Sequence, residues 1–399
     1  MYKYIESLES YPDTSIVFGE NGLLEFENLM RLSSASKIVA FTGKSSVEAN
    51  GAWGRFLRAT VLLDATVIRY SKIEPEPCIE TVEAMVDLLE NEKPDQVVAI
   101  GGGSIMDAAK AAFLAYQGGG GVSNYFGVNV FSKSNPEVKL RKVICFPTTS
   151  GTGSEVTPYS NVVDKNAGVK KLIVETEIIP AYSFVCPSFA NSMPPQVTLA
   201  TGCDALAHSI EGFLNVDRDS SHPDANHWAR ESISLIVHNL PLVLKDCHNH
   251  YARAAMAAAA TLGGMVIRYK PTGLPHLCSF SWFGKIEHGI AVAMLLPPAW
   301  NFYIERKEVQ DRTMQLKDIF PGETPAEVIQ SCRIFLDSIG VPKTLQGFPG
   351  ITAELLERTA ADAGQNTMKL KLAPRPVPLD QSRAILGEIL RNAWQPKQS

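Results

Sequence analysis

QVVAIGGGSIMDAAKAAFLAY, residues 96–116, decides the fold. The apolar run 96–100 is short and closed by glycines, the mark of a buried strand. It passes through Gly101-Gly102-Gly103-Ser104 straight into a helical pattern over 105–116. Glycines at such a junction let the backbone approach an anion, and the helix start offers free N–H groups and a positive dipole end. Pyrophosphate is the natural guest. A tight turn with no ligand fits equally well, because neither G-x-G-x-x-G nor a Walker loop is present.

The flanking sequence repeats this alternation. Strands are predicted at 36–41 (SKIVAF), within 61–70 and at 142–146, with helices after 46 and over 79–91. Such alternation predicts a parallel sheet covered by helices on both faces, with ligands at the carboxyl ends of the strands. A second polar loop, PTTSGTGSEVTP (147–158), follows one of these strands, so two hydroxyl- and glycine-rich loops share one sheet edge. That pairing suits a nucleotide-sized ligand. Residues 161–184 read as β segments around the polar turn 164–168. After Pro195 the pattern is almost wholly helical, over 197–213, 225–244 and 251–266 and onward. We place the boundary near residue 190: an α/β domain over 1–190 and an all-α domain over 191–399.

Two domains suit 399 residues, 45% apolar and 20% charged. A net charge of −5 with no basic run argues against a nucleic-acid surface. Seven scattered cysteines make no disulfide framework. The acidic N-terminus is no signal peptide, and the longest apolar run is below membrane-spanning length. A soluble cytoplasmic protein is expected.

In the helical half, TGCDALAHSIE (201–211) sets Asp204 and His208 at i and i+4, on one helix face. A carboxylate and an imidazole one turn apart make half of a divalent-metal site. Singly, each has a plainer explanation: an acid near a helix start, and a satisfied buried histidine. His276 and His288 lie in a later apolar stretch. His222, His227, His238, His248 and His250 stand among polar residues and read as solvent-facing.

Taken together, Gly102-Gly103-Ser104 with Asp107, the 147–158 loop, TGCDALAHSIE and GLPH…EHGIAVAMLLP resemble the iron-containing, or group III, alcohol dehydrogenases. The resemblance runs from about residue 21 to the C-terminus. It implies a dehydroquinate synthase-like fold, with a dinucleotide-binding α/β domain, a helical domain and an active site in the cleft, and a homodimer as the default assembly. It further implies that Asp204, His208, His276 and His288 hold Fe(II), or Zn or Mn in the same site. Gly102, Gly103 and Ser104 would hold the pyrophosphate, Asp107 would belong to the same cofactor site, and Thr148, Thr149 and Thr152 would line the nicotinamide side. Lys170 resembles a lysine near the ribose, a role open to Lys171 after a one-residue shift. The implied chemistry is hydride transfer between NAD(P)H and a carbonyl polarised by the metal.

Three departures from the family pattern carry information. Where many members have Asp in a turn contacting the adenosine ribose, this chain has Thr42-Gly43-Lys44-Ser45-Ser46. Hydroxyls and a lysine leave room for a 2′-phosphate, so Gly43, Lys44 and Ser45 are expected to admit NADPH beside NADH. A plain glycine turn that still prefers NADH is the alternative. Next, Phe280 stands where the family often has a proton-relaying histidine, and phenylalanine carries no proton. Ser279, a water or the ribose hydroxyls would then complete the relay. Finally, Ile267-Arg268-Tyr269-Lys270 replaces a small apolar segment lining the substrate pocket. Buried cations need partners, so Arg268 and Lys270 point to an anionic aldehyde. The alternative is that they face solvent or pair with a carboxylate. This segment looks like the branch that reduces phosphonoacetaldehyde to 2-hydroxyethylphosphonate, with a sulfoacetaldehyde or semialdehyde reductase, or a general short-chain alcohol dehydrogenase of the same family, as the alternatives. A cyclase of the dehydroquinate synthase type would need more basic phosphate-binding residues than the helical half shows.

Overall fold

The structure is a computed structural model that describes residues 4–33 and 35–395. It divides into two compact units, Met1–Pro194 with Cys247–Gly264, and Pro195–Asp246 with Met265–Ser399.

Among the described residues the first unit is built on nine strands: β1 (Ser15–Phe18), β2 (Lys37–Thr42), β3 (Thr66–Tyr70), β4 (Gln96–Gly101), β5 (Gly127–Val128), β6 (Ile144–Pro147), β7 (Tyr159–Asp164), β8 (Val169–Val174) and β9 (Tyr182–Val185). Six form a parallel sheet in the order β1-β9-β6-β4-β2-β3. The side-chain period of two sorts β2 and β4 into two cores. Val39, Phe41, Val97 and Ala99 pack with the helices Ile79–Glu92 and Gly103–Gly118. Ile38, Ala40, Val98 and Ile100 meet Phe26, Phe56 and Phe146 on the other face. Burial on both faces is why these strands read as unbroken apolar runs. β7 and β8 form an antiparallel hairpin in a separate sheet with β5. Its turn closes through Asp164, which accepts from the N–H of Ala167 and of Gly168.

The segment 247–264 belongs with the first unit, although its helical pattern placed it in the second half. The helix His250–Tyr269 crosses from one unit to the other at Gly264. A Cβ on Gly153, at φ +62°, would lie 2.4 Å from the Gly264 Cα, so loop and helix meet backbone to backbone. Thr261 donates to Glu155 at 2.9 Å within the same contact. Helical periodicity reports neither fact, because small residues read alike wherever the helix docks.

The second unit is helical. The helix Pro195–Leu214 is buried without a break from Gly202 to Leu214, and the helix His288–Tyr303 is apolar all round despite Pro297 and Pro298. A helix apolar on every face must sit inside. The two helices pack against each other, and Gly289 permits the approach: a Cβ there would fall 1.7 Å from the carbonyl oxygen of Ala200. Six of the seven cysteines are buried and Cys247 is half-buried, all as free thiols. Burial pushes the thiols of Cys186, Cys278 and Cys332 up to about 12. Among the described residues no helix is long and apolar enough to cross a membrane.

Candidate metal centre and cofactor edge

The helix Pro195–Leu214 presents Asp204 and His208, the helix Leu274–Ser279 presents His276, and His288 opens the helix His288–Tyr303. The structure brings all four together on one atom. Asp204 Oδ1 lies 3.6 Å from His208 Nε2, 3.4 Å from His276 Nε2 and 3.6 Å from His288 Nε2. Ligand atoms about 2.1 Å from a tetrahedral ion stand about 3.4 Å apart, so these spacings fit the edges of a coordination shell. Asp204, His276 and His288 form the tightest set, each offering an atom within 4.8 Å of the others. His208 joins through Asp204 and stacks on His276, with ring centroids 4.7 Å apart.

The polar atoms themselves call for an ion. Asp204 Oδ1 and His276 Nε2 are buried with no hydrogen-bond partner among the described residues. Burying polar atoms unpartnered is costly, and a cation would satisfy both. One carboxylate oxygen and imidazole nitrogens are the donors that iron, zinc and manganese share.

Electrostatics follow the same geometry. Burial opposes the charge on Asp204, yet the three imidazoles outweigh it and hold the carboxyl far below the usual range. Burial lowers His208 to about 4, the proton-free state a metal ligand needs. Burial also opposes the proton on His276, but Glu211 and Asp204 more than reverse this and raise it to about 9. Glu211 is the residue that sequence reasoning missed. It is fully buried, accepts from His276 Nδ1 and takes the Gly273 N–H at 2.7 Å. A carboxylate on Nδ1 fixes the ring so that Nε2 faces the ion. The signal was available: Asp204, His208 and Glu211 follow the spacing 0, 4, 7, one face of the helix.

Ser279 stands between two of the ligand residues. Its hydroxyl donates to the carbonyl of His276 at 2.9 Å and lies 3.2 Å from His288 Nδ1. Its oxygen is placed to accept from His288 Nδ1 and so to steer that ring. The side chain of His288 is 28% exposed against 5–7% for the other three, so the set opens on the His288 side.

In the first unit, the carboxyl ends of β4 and β2 lie side by side, Thr42 opposite Ile100. Gly102, Gly103 and Ser104 are partly exposed at the start of the helix Gly103–Gly118. Thr149 and Thr152 crowd them: a Cβ on Gly102 would meet the Thr149 side chain at 3.1 Å, and one on Gly103 the Thr152 side chain at 2.6 Å. Thr148 is buried, its N–H bonded to the carbonyl of Gly101. The two polar loops therefore share one edge. Lys170 pairs with Glu76 at 2.5 Å, and the Glu76 N–H donates to the Ser104 hydroxyl, which ties Lys170 to the glycine turn. Strand alternation sends Lys171 to the other face.

Two predicted site residues have other work. Asp107 is engaged with the second loop, its carboxylate accepting from the Ser154 hydroxyl and the Asn161 N–H and standing 3.6 Å from Lys110. It fastens the second loop to the helix. Lys270 is fully buried and pairs with Asp219 at 2.6 Å and with Asn226, in a cluster that Arg312 completes. Its charge is satisfied inside the protein, which corrects the expectation that it faces a substrate anion. Ile267 is buried, and Arg268 is half-buried with its guanidinium 5.3 Å from the Tyr269 ring. Gly43, Lys44 and Ser45 form the turn after β2, with Lys44 and Ser45 exposed. Arg69 of β3 clamps this turn through the carbonyls of Gly43 and Lys44, and holds Glu48 at 2.7 Å.

Comparison with known proteins agrees with this geometry. Residues 13–187 match the family described as iron-containing alcohol dehydrogenase, and residues 198–390 match the C-terminal part of the same family. Alcohol dehydrogenase 4 of Saccharomyces cerevisiae is 28% identical over 95% of this chain and 96% of its own. Long-chain-alcohol dehydrogenase 1 of Geobacillus thermodenitrificans is 32% identical, covering 79% of this chain and 80% of its own. The solved iron-containing alcohol dehydrogenase of Thermotoga maritima superposes with a TM-score of 0.81 at 30% identity, over 96% of this chain and 99% of that one. The chain belongs to the iron-containing alcohol dehydrogenase family and is a metal-dependent, NAD-linked oxidoreductase of alcohols and aldehydes.

Proposed function

We propose that the chain reduces a short aldehyde with NADH or NADPH, and runs in reverse on the alcohol, with Asp204, His208, His276 and His288 as its metal ligands. The convergence of three imidazole Nε2 atoms on Asp204 Oδ1, at 3.4–3.6 Å, carries this reading. A bound divalent cation supplies the Lewis acid that polarises the carbonyl, and a nicotinamide supplies the hydride. The chain's own residues hold and orient: Glu211 fixes His276, Ser279 fixes His288, and burial keeps water from three of the four ligands. Iron is the metal the family's name carries, and zinc or manganese fit the same donors. Fe(II) reconstitution of the metal-stripped protein, followed at 340 nm with butyraldehyde and charged aldehydes, tests the reading. No metal-dependent consumption of NADH or NADPH with any aldehyde would sink it.

NADPH acceptance is part of the proposal. The turn after β2 exposes Lys44 and Ser45, and the carboxylate of Glu48, on the helix that follows, is paired with Arg69. An exposed lysine and hydroxyls without a free carboxylate suit a 2′-phosphate. Steady-state kinetics with both cofactors decide, and a large preference for NADH would reject it. For the substrate, the likeness of the 267–270 segment to the phosphonoacetaldehyde-reducing branch supports an anionic aldehyde, phosphonoacetaldehyde foremost, with sulfoacetaldehyde, succinic semialdehyde or a plain short-chain alcohol as alternatives. A panel of these against butyraldehyde discriminates: if butyraldehyde wins, the anionic reading fails.

A further inference from the structure

Three consecutive residues shortly before His276 are each held by a different buried side chain. Lys369, on the helix Thr367–Leu372, donates to the carbonyl of Thr272 at 2.9 Å and to its hydroxyl at 2.7 Å. Glu211 takes the N–H of Gly273 at 2.7 Å, and the Tyr303 hydroxyl takes the N–H of Leu274 at 2.8 Å. Gly273 makes room for the last of these: a Cβ there would lie 2.6 Å from the Tyr303 hydroxyl oxygen. Pro275 follows, with no N–H of its own to satisfy. The helix Leu274–Ser279 is only six residues long, too short to be stable without outside support.

Two of these holds come from the helices that carry the other ligands. Glu211 belongs to the helix Pro195–Leu214, with Asp204 and His208, and Tyr303 ends the helix that His288 begins. His276 is therefore set by the same two helices that present its three companions. Glu211 fixes its ring through Nδ1, and Tyr303 fixes the backbone that carries the ring. Helix starts leave N–H groups without a partner, and Leu274 is fully buried, so without Tyr303 its N–H would be a buried orphan. We propose that Tyr303 is a positioning residue of the metal centre: its hydroxyl bond to Leu274 places His276 before any ion arrives.

The proposal rests on the four-ligand reading above. Tyr303→Phe removes one oxygen atom, and Co(II) serves as a visible probe of the site. Chelator competition gives its affinity, and its d–d absorption reports the ligand geometry. Tyr303→Phe should bind Co(II) about 10-fold more weakly than wild type, with shifted d–d bands. Thr313→Val is the control: it strips the partner from Trp300 Nε1–H, a buried bond of 2.9 Å about one turn earlier on the same helix. That variant should lose Tm to a similar extent yet bind Co(II) as wild type does. Unchanged affinity and spectrum in Tyr303→Phe would overturn the proposal, and so would equal losses of affinity in both variants. Hydrogen exchange on metal-free wild type gives a readout that needs no variant. The amides of Gly273 and Leu274 should be as protected there as in the Co(II)-loaded protein. Fast exchange that only Co(II) slows would show that the ion orders the turn, and would overturn the proposal too. If Tyr303→Phe fails to fold, the exchange data decide together with Gly273→Ala, whose methyl would crowd the hydroxyl and should weaken Co(II) binding likewise. A wild type that binds no Co(II) refutes the four-ligand reading, whereas equal binding by wild type and Tyr303→Phe refutes only the role of Tyr303.

Discussion

Glu211 grips His276 by its Nδ1 from a fully buried position, so the opposite nitrogen faces Asp204. Glu211→Gln keeps the shape and removes the charge. Metal affinity should fall about 10- to 100-fold, the usual consequence of losing a partner that orients a ligand. Competition with a chelator measures it, and an unchanged affinity would show that His276 orients itself.

Gly289 has a backbone carbonyl, that of Ala200, where a Cβ would go. Backbone cannot swing aside, so Gly289→Ala must push the His288 helix off the Asp204 helix. We expect a loss of about 3 kcal/mol or more, together with loss of bound metal. Gly54→Ala is the control: its nearest neighbour would be the flexible end of Arg58 at 3.6 Å, and stability should hold or rise slightly. Calorimetry with metal analysis on both variants tests the contrast.

Lys270 should behave as a structural residue. Lys270→Met leaves Asp219 with Arg312 and Asn226, so a destabilisation of about 1–3 kcal/mol is expected, with KM for charged aldehydes unchanged. Burial opposes the charge on Asp219, but its bonds to Arg312, Lys270 and Asn226 prevail and hold it at about 2. The unfolded chain therefore binds more protons between about pH 4 and pH 2, and this contribution, present above pH 4, is lost as the pH falls through that window. Asp219→Asn should flatten the acid limb of a Tm-against-pH curve. A limb as steep as wild type would place the acid sensitivity elsewhere, Glu74 being the next candidate because its carboxyl is also held at about 2.

The exposed Lys44 should matter for one cofactor only. Lys44→Glu sets a carboxylate where a 2′-phosphate would lie. A fall of about 10-fold or more in kcat/KM with NADPH is expected, with little change for NADH. Equal effects on both would deny the turn a role in discrimination.

How much could be read from the chain alone depended on whether a residue's role was local. Asp204 and His208 declare themselves by one-turn spacing, and residues 96–104 by a strand running into glycines. Both signals lie within one element. The fates of Asp107 and Lys270 depend on residues 47 to 54 positions away, Ser154, Asn161 and Asp219, so spacing was silent about them. Lys369 sits in the alternating run Met368-Lys369-Leu370-Lys371, which reads as a half-exposed surface. Only the packing of its short helix shows which lysine is inside. The docking of 247–264 escaped for the same reason, because alanine and glycine look alike under any neighbour.

The thiols bear on how the protein can be handled. Alkylating reagents attack the thiolate, and the buried cysteines offer them neither access nor, for Cys186, Cys278 and Cys332, any appreciable thiolate near neutral pH. Cys247 alone is within reach, directly after Asp246, where the chain leaves the second unit and returns to the first. A fluorophore attached by ordinary thiol chemistry should thus settle on that junction in the native protein, with no cysteine removed beforehand.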